Sequence, residues 1–575
     1  MKKSALLFAV ICCSVSLYCQ NLLPEKWKFK TGDDMQWASA TYDDSRWDEI
    51  KAGIQWEPQG YNSYDGFAWY RVTITIPSTL KEVAQKYHGF NLFLGKIDDV
   101  DFTYFNGRLL AKTGQLPPEY VTKWDADRVY RVPVSWIKWD QPNVIAVRVF
   151  DLLGGGGIYG DPVQFSVRGL SDYLSIETDL THTDQVFYGN DEVKLSLKII
   201  NKANKTIPGT ITVHVVSDFG KEVITETRNL EIKEKSTAQA SFPVPGIQPG
   251  FYRATVTFTS EVAFKKLAFG FGYEPEKIIS PVDTLDGFTA FWARAKQELA
   301  SVDPQFRMIR IDSLCTGKRT VYLVEMHSLG NVLIRGWYSV PAVPGRYPAI
   351  MQVPGYSGNQ MWESVDYGDK IIGFALNIRG HGNSQDDVNP GFPGYLQYGL
   401  PDKETYIYRG AYMDCVRGID FLFSRPEVDT LHVAVEGGSQ GGALTFATSA
   451  LDNNRIVACA PLVPFLSDFR DYFKVAAWPG NEFTEYVEKE NKMTWDALFG
   501  TLSYFDIKNL AVWIRCPMFM GAGLVDDVCP PHINFAAYNQ VKSPKQYVIY
   551  PKAGHGLPED FYIRRMEFLN KSLGM

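Results

Sequence analysis

Cysteine is scarce and badly placed for cross-linking. Of eight cysteines in 575 residues, three sit within the first nineteen; the rest, Cys315, Cys415, Cys459, Cys516 and Cys529, are scattered through the second half. An odd, widely spaced set is no disulfide framework, and with no CxxC pair or His–Cys cluster neither a metal site nor a cofactor is expected. Mostly buried thiols are expected instead. Charge of one sign is also missing: 58 Lys and Arg stand against 65 Asp and Glu, a net of -7 without long runs. That leaves no basic footprint, which excludes DNA and RNA as partners. Long hydrophobic runs are absent except at the start, where MKKSALLFAVICCSVSLYCQ puts two lysines before an apolar stretch too short to span a bilayer comfortably. This has the form of a secretory signal over residues 1–19, with cleavage after Cys19 or, alternatively, Ser16. Tyr18 before Cys19 spoils a lipoprotein signal. An exported protein, periplasmic or secreted, without a membrane span is expected.

What is present points to several folded units. A chain of 575 residues exceeds one ordinary core, and about 150 residues per domain suggests three or four. From residue 20 to 170 short alternating segments such as FAWYRVTITIP, GFNLFLGKI, DFTYFNGRLLA and NVIAVRVFD are separated by Gly, Asn, Asp and Pro turns, the pattern of an all-β sandwich. Residues 171–275 continue with VKLSLKIINKAN, GTITVHVVSD, TAQASFPV and FYRATVTFTS, which fits an immunoglobulin-like sandwich serving as spacer or interface. From 276 to 575 strands alternate with helices: VYLVEMHS, LIRGWYSVP, YPAIMQVPG, IIGFALNIRG, the helix YRGAYMDCVRGIDFLFS, then LHVAVEG, CPMFMGAG and YVIYP. That alternation predicts an α/β-hydrolase sheet.

The chemistry centres on LHVAVEGGSQGGALTFATSA, a strand run, a glycine corner and a helix run with Ser439 at the apex. Gly437 and Gly441 flank it in the Gly-x-Ser-x-Gly spacing of a nucleophile elbow, where the sharp turn demands small residues. A serine hydroxyl needs a base, and the base needs a carboxylate to orient it; in this fold the chain order is Ser, acid, His. His555, between Gly554 and Gly556 after YVIYP, is the candidate base, with His532 its competitor. Asp526 and Asp527, at the end of CPMFMGAGLVDD, are adjacent, and spacing does not choose between them. Two other features weigh less. The aspartates of IDDVD, Asp98, Asp99 and Asp101, could suggest a carboxylate pair or calcium, but strand-end aspartates more often accept backbone hydrogen bonds. Trp37, Trp47, Trp56 and Trp69 could stack on sugar, yet large aromatics in a sandwich are usually core.

Two resemblances add to this reading. YDDSRWDEI, DGFAWYRVTITIP, GKIDDVDFTYFNG and NVIAVRVFDLLGGGGIYG resemble the galactose-binding-like jelly roll of family-two glycoside hydrolases and, more closely, of sialate O-acetylesterases, where the domain is accessory. IMQVPGYSGN, LNIRGHGNS, EGGSQGGALT, GLVDDVCPP followed by FAAYN, and AGHG together resemble the acetyl xylan esterase and cephalosporin C deacetylase family, carbohydrate esterase family seven. That resemblance implies Asp526 as the acid, and an oxyanion hole formed by the backbone N–H groups of Tyr356 and Gln440. It further implies an acetylated carbohydrate as substrate, and leaves assembly into a homo-oligomer open. One departure is His381 in RGHG, where the family has Gln; Arg379 and His381 read as structural. A sialate O-acetyl or feruloyl esterase, or a glycan-binding protein with a decayed hydrolase, are the rival readings. The two β-domains are expected to govern action on polymer rather than bond breaking.

Overall fold

A computed structural model describes residues 21–575 apart from 62–63, 153–154, 181, 190, 361–366, 477 and 490–491. The expected signal segment, 1–19, lies outside the described residues.

The N-terminal part is built from antiparallel strands. One six-stranded sheet runs in the order Asp48–Lys51, Lys26–Thr31, Gly66–Thr75, Pro142–Asp151, Val100–Phe105, Arg108–Thr113, and a three-stranded sheet holds Asp127–Val132, Phe90–Asp98 and Gly157–Val167. Phe29, Trp56, Tyr70 and Ile74 from the first side meet Phe90, Leu92 and Phe165 from the second in one core. The tryptophans are core residues: Trp56 and Trp69 are fully buried and Trp37 and Trp47 nearly so. Asp99 accepts the Leu152 N–H at 3.0 Å, while Asp101 is fully buried against Arg128 at 3.0 Å with Tyr130 and Thr103 donating to it. Asp98 lies beside Asp99; burial, then the hydrogen bond and charge of its neighbour, push it up to about 9, so it keeps its proton at neutral pH.

The middle part follows the same logic with clean alternation. Lys194–Asn201 buries every second residue, and with Leu174–Thr178 and Ser236–Pro243 it forms a three-stranded sheet. A five-stranded sheet orders Val186–Phe187, Phe264–Tyr273, Gly250–Thr259, Ile207–Ser217 and Glu222–Ile232. Both sheets contribute to one core, with Leu195, Leu197 and Phe242 from the first and Val213, Val256 and Phe271 from the second.

The C-terminal half is a nine-stranded mixed sheet. Its strands are β1 (Arg307–Arg310), β2 (Arg319–Ser328), β3 (Val332–Pro341), β4 (Tyr347–Gln352), β5 (Ile372–Asn377), β6 (Val428–Gly438), β7 (Ala458–Leu462), β8 (Met518–Gly523) and β9 (Lys545–Tyr550), in spatial order β1-β2-β3-β5-β4-β6-β7-β8-β9. The first three pair antiparallel and β3 meets β5 antiparallel; from β5 to β9 all pairs are parallel. Parallel strands covered on both faces read as continuous apolar runs, and β5 and β8 are buried at every position. Helices Ile407–Phe423 and Gln440–Leu451 are buried almost all round. The chain leaves β4 for β5 on one side and β6 lies on the other, so a crevice opens at the carboxyl ends of β4 and β6.

The middle sandwich is not a free appendage. Val186 and Phe251 belong to the same buried cluster as Phe535 and Leu524 of the C-terminal half. The Phe251 and Phe535 rings meet at a tilt of 53° with centroids 5.5 Å apart. A β-carbon on Gly270 would stand 2.9 Å from the Leu524 carbonyl oxygen, so only glycine allows that backbone approach.

Candidate active site

The elbow forms because β6 runs straight into the helix Gln440–Leu451, with Ser439 as the hinge at φ 59 and ψ -121. A non-glycine residue there is strained by roughly 1–3 kcal/mol and persists only if its surroundings enforce it. They do. A β-carbon on Gly437 would lie 2.7 Å from the Gly441 carbonyl oxygen, and one on Gly441 would lie 2.5 Å from that of Val353. Ser439 N–H donates to Leu462 O at 3.0 Å, and Phe465 N–H donates to Ser439 O at 3.0 Å. The serine is thereby pinned between the ends of β6 and β7.

Asp526 and His555 come from the loops after β8 and β9. Asp526 is completely buried; its Oδ1 accepts the N–H groups of Val528 and Cys529, both at 2.9 Å. His555 Nδ1 stands 2.9 Å from Asp526 Oδ2. A carboxylate only accepts, so Nδ1 carries the proton and Nε2 presents a lone pair. Asp527 is exposed. His532 is engaged elsewhere, its Nδ1 2.8 Å from Asp218 of the middle sandwich.

Ser439 Oγ lies 4.0 Å from Cys529 Sγ, and among the described residues no hydrogen bond joins it to His555. Such bonds are often open before substrate arrives. Burial drives the Cys529 thiol well up, so it stays protonated beside the serine.

Gln440 opens its helix, where the first N–H groups have no intrahelical partner. Its side chain is held by a network that sequence reasoning did not find. The Tyr408 hydroxyl donates to Gln440 Oε1 at 2.5 Å, which leaves Nε2 to donate to His381 Nε2 at 2.9 Å and towards the carbonyls of Pro354 and Gly355 at 3.3 Å. His381 must accept there, so its proton sits on Nδ1, facing Arg379 O at 3.4 Å. Burial pulls His381 down to about 4, in keeping with a neutral ring. Arg379 binds Asp414 through Nε at 2.9 Å and Nη2 at 2.7 Å. Both residues therefore brace the loop, as the sequence suggests.

Tyr356 follows β4, its hydroxyl bonded to both oxygens of Glu482 at 2.8 Å. Glu482 is nearly buried, and burial raises it despite the Tyr356 hydrogen bond. Phe392 and the half-exposed Trp478 flank the Tyr356 ring at 4.8 and 6.1 Å. The order β4, β6, β8, β9 thus brings Tyr356, Ser439 with Gln440, Asp526 and His555 to one edge of the sheet.

Residues 276–572 match the family described as Acetyl xylan esterase (AXE1). The chain belongs to the acetyl xylan esterase family. Its members are carboxylic ester hydrolases, and this chain carries the fold and the serine elbow of one. Among curated proteins it is similar to the Acetyl esterase Axe7A of Xylanibacter ruminicola, 29% identical over 314 residues, covering 52% of this chain and 70% of that one. Among solved structures it is similar to an acetyl xylan esterase from Paenibacillus sp. R4, at 30% identity and TM-score 0.49, covering 52% of this chain and 98% of that one. Acetyl Xylan Esterase 1 from Thermoanaerobacterium sp. JW/SL YS485 gives 29% identity, TM-score 0.49 and the same coverage.

Among the described residues two groups place three potential ligand atoms together: Asp468, Asp471 and His532, and Asp98, Asp99 and Asp151. In the first, Lys508 Nζ sits 3.0 Å from Asp468 and Lys474 Nζ 2.7 Å from Asp471, so lysines already hold the charge a cation would balance.

Proposed function

We propose that this protein is an exported serine esterase that removes O-acetyl groups from plant-type polysaccharide or oligosaccharide, with Ser439 as nucleophile, His555 as base and Asp526 as the orienting acid. The observation that carries the reading is the buried Asp526 carboxylate set on His555 Nδ1, on the loops next to the elbow. Substrate binding turns Ser439 Oγ from Cys529 towards His555 Nε2. His555 takes the proton as Oγ attacks the acetyl carbonyl, and the N–H groups of Gln440 and Tyr356 stabilise the oxyanion. The sugar hydroxyl leaves with the proton from His555. Water then repeats the sequence on the acetyl-enzyme and releases acetate.

In this reading residues 20–170 are a galactose-binding-like jelly roll, 171–275 an immunoglobulin-like sandwich and 276–575 the catalytic domain. Export rests on the N-terminal signal pattern; no described helix is long and apolar enough to cross a membrane. The test is Ser439→Ala assayed by acetate release from acetylated xylo-oligosaccharides. A fall of roughly 10³-fold or more in a folded protein is expected; wild-type turnover would sink the elbow assignment. A series of p-nitrophenyl esters should lose activity steeply beyond short acyl chains.

A further inference from the structure

Behind the catalytic edge, the middle sandwich touches the segment that carries the acid. Strands Ile207–Ser217 and Glu222–Ile232 are joined by a tight turn, closed by Ser217 N–H to Lys221 O and Gly220 N–H to Ser217 O, both at 2.9 Å. Asp218 and Phe219 sit on that turn and reach His532. Asp218 Oδ2 is 2.8 Å from His532 Nδ1 and the Phe219 ring lies 4.8 Å away, edge on. On its other side His532 Nε2 faces Asp471 Oδ2 at 3.7 Å, and Asp471 in turn holds Lys474. The His532 side chain is only 7% exposed.

His532 stands in the first turn of the helix Pro531–Tyr538. Three residues earlier, Cys529 N–H donates to Asp526 Oδ1, and between them lie Pro530 and Pro531, whose fixed φ leaves little slack. The same helix is tied to the elbow side: Asn534 Nδ2 donates to Pro464 O at 3.0 Å and Ser467 Oγ to Ile533 O at 2.7 Å. One turn beyond His532, Phe535 meets Phe251 of the sandwich. A shift of this helix start therefore moves the Asp526 carboxylate relative to His555.

We infer that Asp218 is a positioning residue for the esterase reaction: acting through His532 from a different domain, it fixes the helix start that sets Asp526, and the middle sandwich is thus a working part of the active site. This rests on Asp526 being the acid. The charged groups facing His532 are Asp218 on the sandwich turn, Asp471 with Lys474 on Phe469–Val475, and Asp468, which is held by Lys508. Burial opposes an imidazolium here, but the hydrogen bonds to Asp218 and Asp471 outweigh it and raise His532 to about 9. Because the folded value lies above the ordinary one, the clamp is complete below about pH 6.5 and is lost as pH rises through about 9.

The experiment uses the full chain carrying Asp218→Asn, Asp218→Glu, His532→Asn and the Asp218→Asn/His532→Asn pair, with Asp526→Asn beside them. Turnover of p-nitrophenyl acetate per titrated active site is measured at pH 7.5 and, blank-corrected, at pH 9.5. At pH 7.5 Asp218→Asn should lower kcat about 10-fold with KM little changed, Asp218→Glu should recover part of it, and the double variant should be no worse than His532→Asn alone. At pH 9.5 the gap between wild type and Asp218→Asn should narrow. A lower active fraction with unchanged kcat per site, or additive losses in the double variant, overturns the inference. Should His532→Asn not fold, the Asn and Glu variants at Asp218 decide it. An inactive Asp526→Asn beside an unaffected Asp218→Asn defeats this inference alone, whereas a fully active Asp526→Asn removes the acid assignment and the inference with it.

Discussion

Replacing Asp526 by Asn tests the orienting acid, because the structure dictates which way the amide must point. Two backbone N–H groups, from Val528 and Cys529, converge on Oδ1 at 2.9 Å. An Asn placed with its NH₂ there would oppose two donors and leave them unpaired in a buried site, at about 1–3 kcal/mol each. The carbonyl oxygen therefore takes the Oδ1 place, and the NH₂ faces His555 Nδ1, now 2.9 Å from Oδ2. Two donors cannot share that contact, and the oxygen in the Oδ1 place, 3.2 Å from Nδ1, already takes two N–H groups, so His555 shifts its proton to Nε2, which can no longer accept from Ser439. A triad locked in the wrong tautomer loses on the order of 10⁴-fold in kcat, about 5.5 kcal/mol of barrier. The substitution is isosteric, so little change in thermal midpoint is expected. Steady-state turnover of p-nitrophenyl acetate, with the melting curve as control, reads both. Asp527→Asn, on an exposed side chain, should stay within about twofold. An Asp526→Asn enzyme that keeps a tenth of its activity, or an equal loss in the two variants, would refute the reasoning.

Gly441→Ala forces a β-carbon to 2.5 Å from Val353 O, a backbone atom that cannot step aside, so the elbow should open with a loss of at least about 100-fold in kcat and roughly 1–3 kcal/mol in urea denaturation. Arg128→Met strands the Asp101 carboxylate where both side chains are 0% exposed, and urea denaturation should register a loss of about 3–5 kcal/mol. His381 is neutral in the fold because burial lowers it to about 4, while the unfolded chain protonates it near 6.5; stability therefore falls as pH drops between these values, by on the order of 3 kcal/mol. His381→Gln should flatten that part of the melting-temperature profile relative to wild type, and parallel profiles would contradict the neutral assignment.

How far the sequence carried depended on the range of the interaction. The elbow was legible because strand, corner and helix are contiguous, and the two glycines that permit the turn stand two residues either side of the serine. The β-rich character of the first half was legible from period-two alternation, which Lys194–Asn201 keeps almost perfectly. Strands β1 and β7 were harder: RMIR is charged at both ends, and ACAPL contains a proline and too little β-branching to stand out. The choice between Asp526 and Asp527 could not be read from spacing, since the deciding fact is which carboxylate is buried on His555. Tyr408 with Gln440, Arg128 with Asp101 and Asp218 with His532 pair residues 27 to 314 positions apart, and one sequence carries no trace of such pairs.

The family match begins at residue 276, so the β-rich half lies outside it, yet the two parts share buried apolar surface as well as the Asp218–His532 pair. Burying a phenylalanine stabilises by about 1.5–3 kcal/mol, and Phe251, at 4% exposure, meets Phe535, at 0%, across this boundary. Swinging the middle sandwich away would return both to water and break the Asp218–His532 pair as well, so the two parts move as one. A catalytic half cut free near residue 274 would expose that face, with aggregation the expected consequence. The contact from the middle sandwich back to the N-terminal one includes Tyr87 with Tyr173 at 6.3 Å, Arg168 over the Tyr173 ring at 5.2 Å, Tyr87 packed on the middle core and the Asn91 amide donating to Asp172. It is the inner contact that borders the Asp526 loop, through Asp218 and His532.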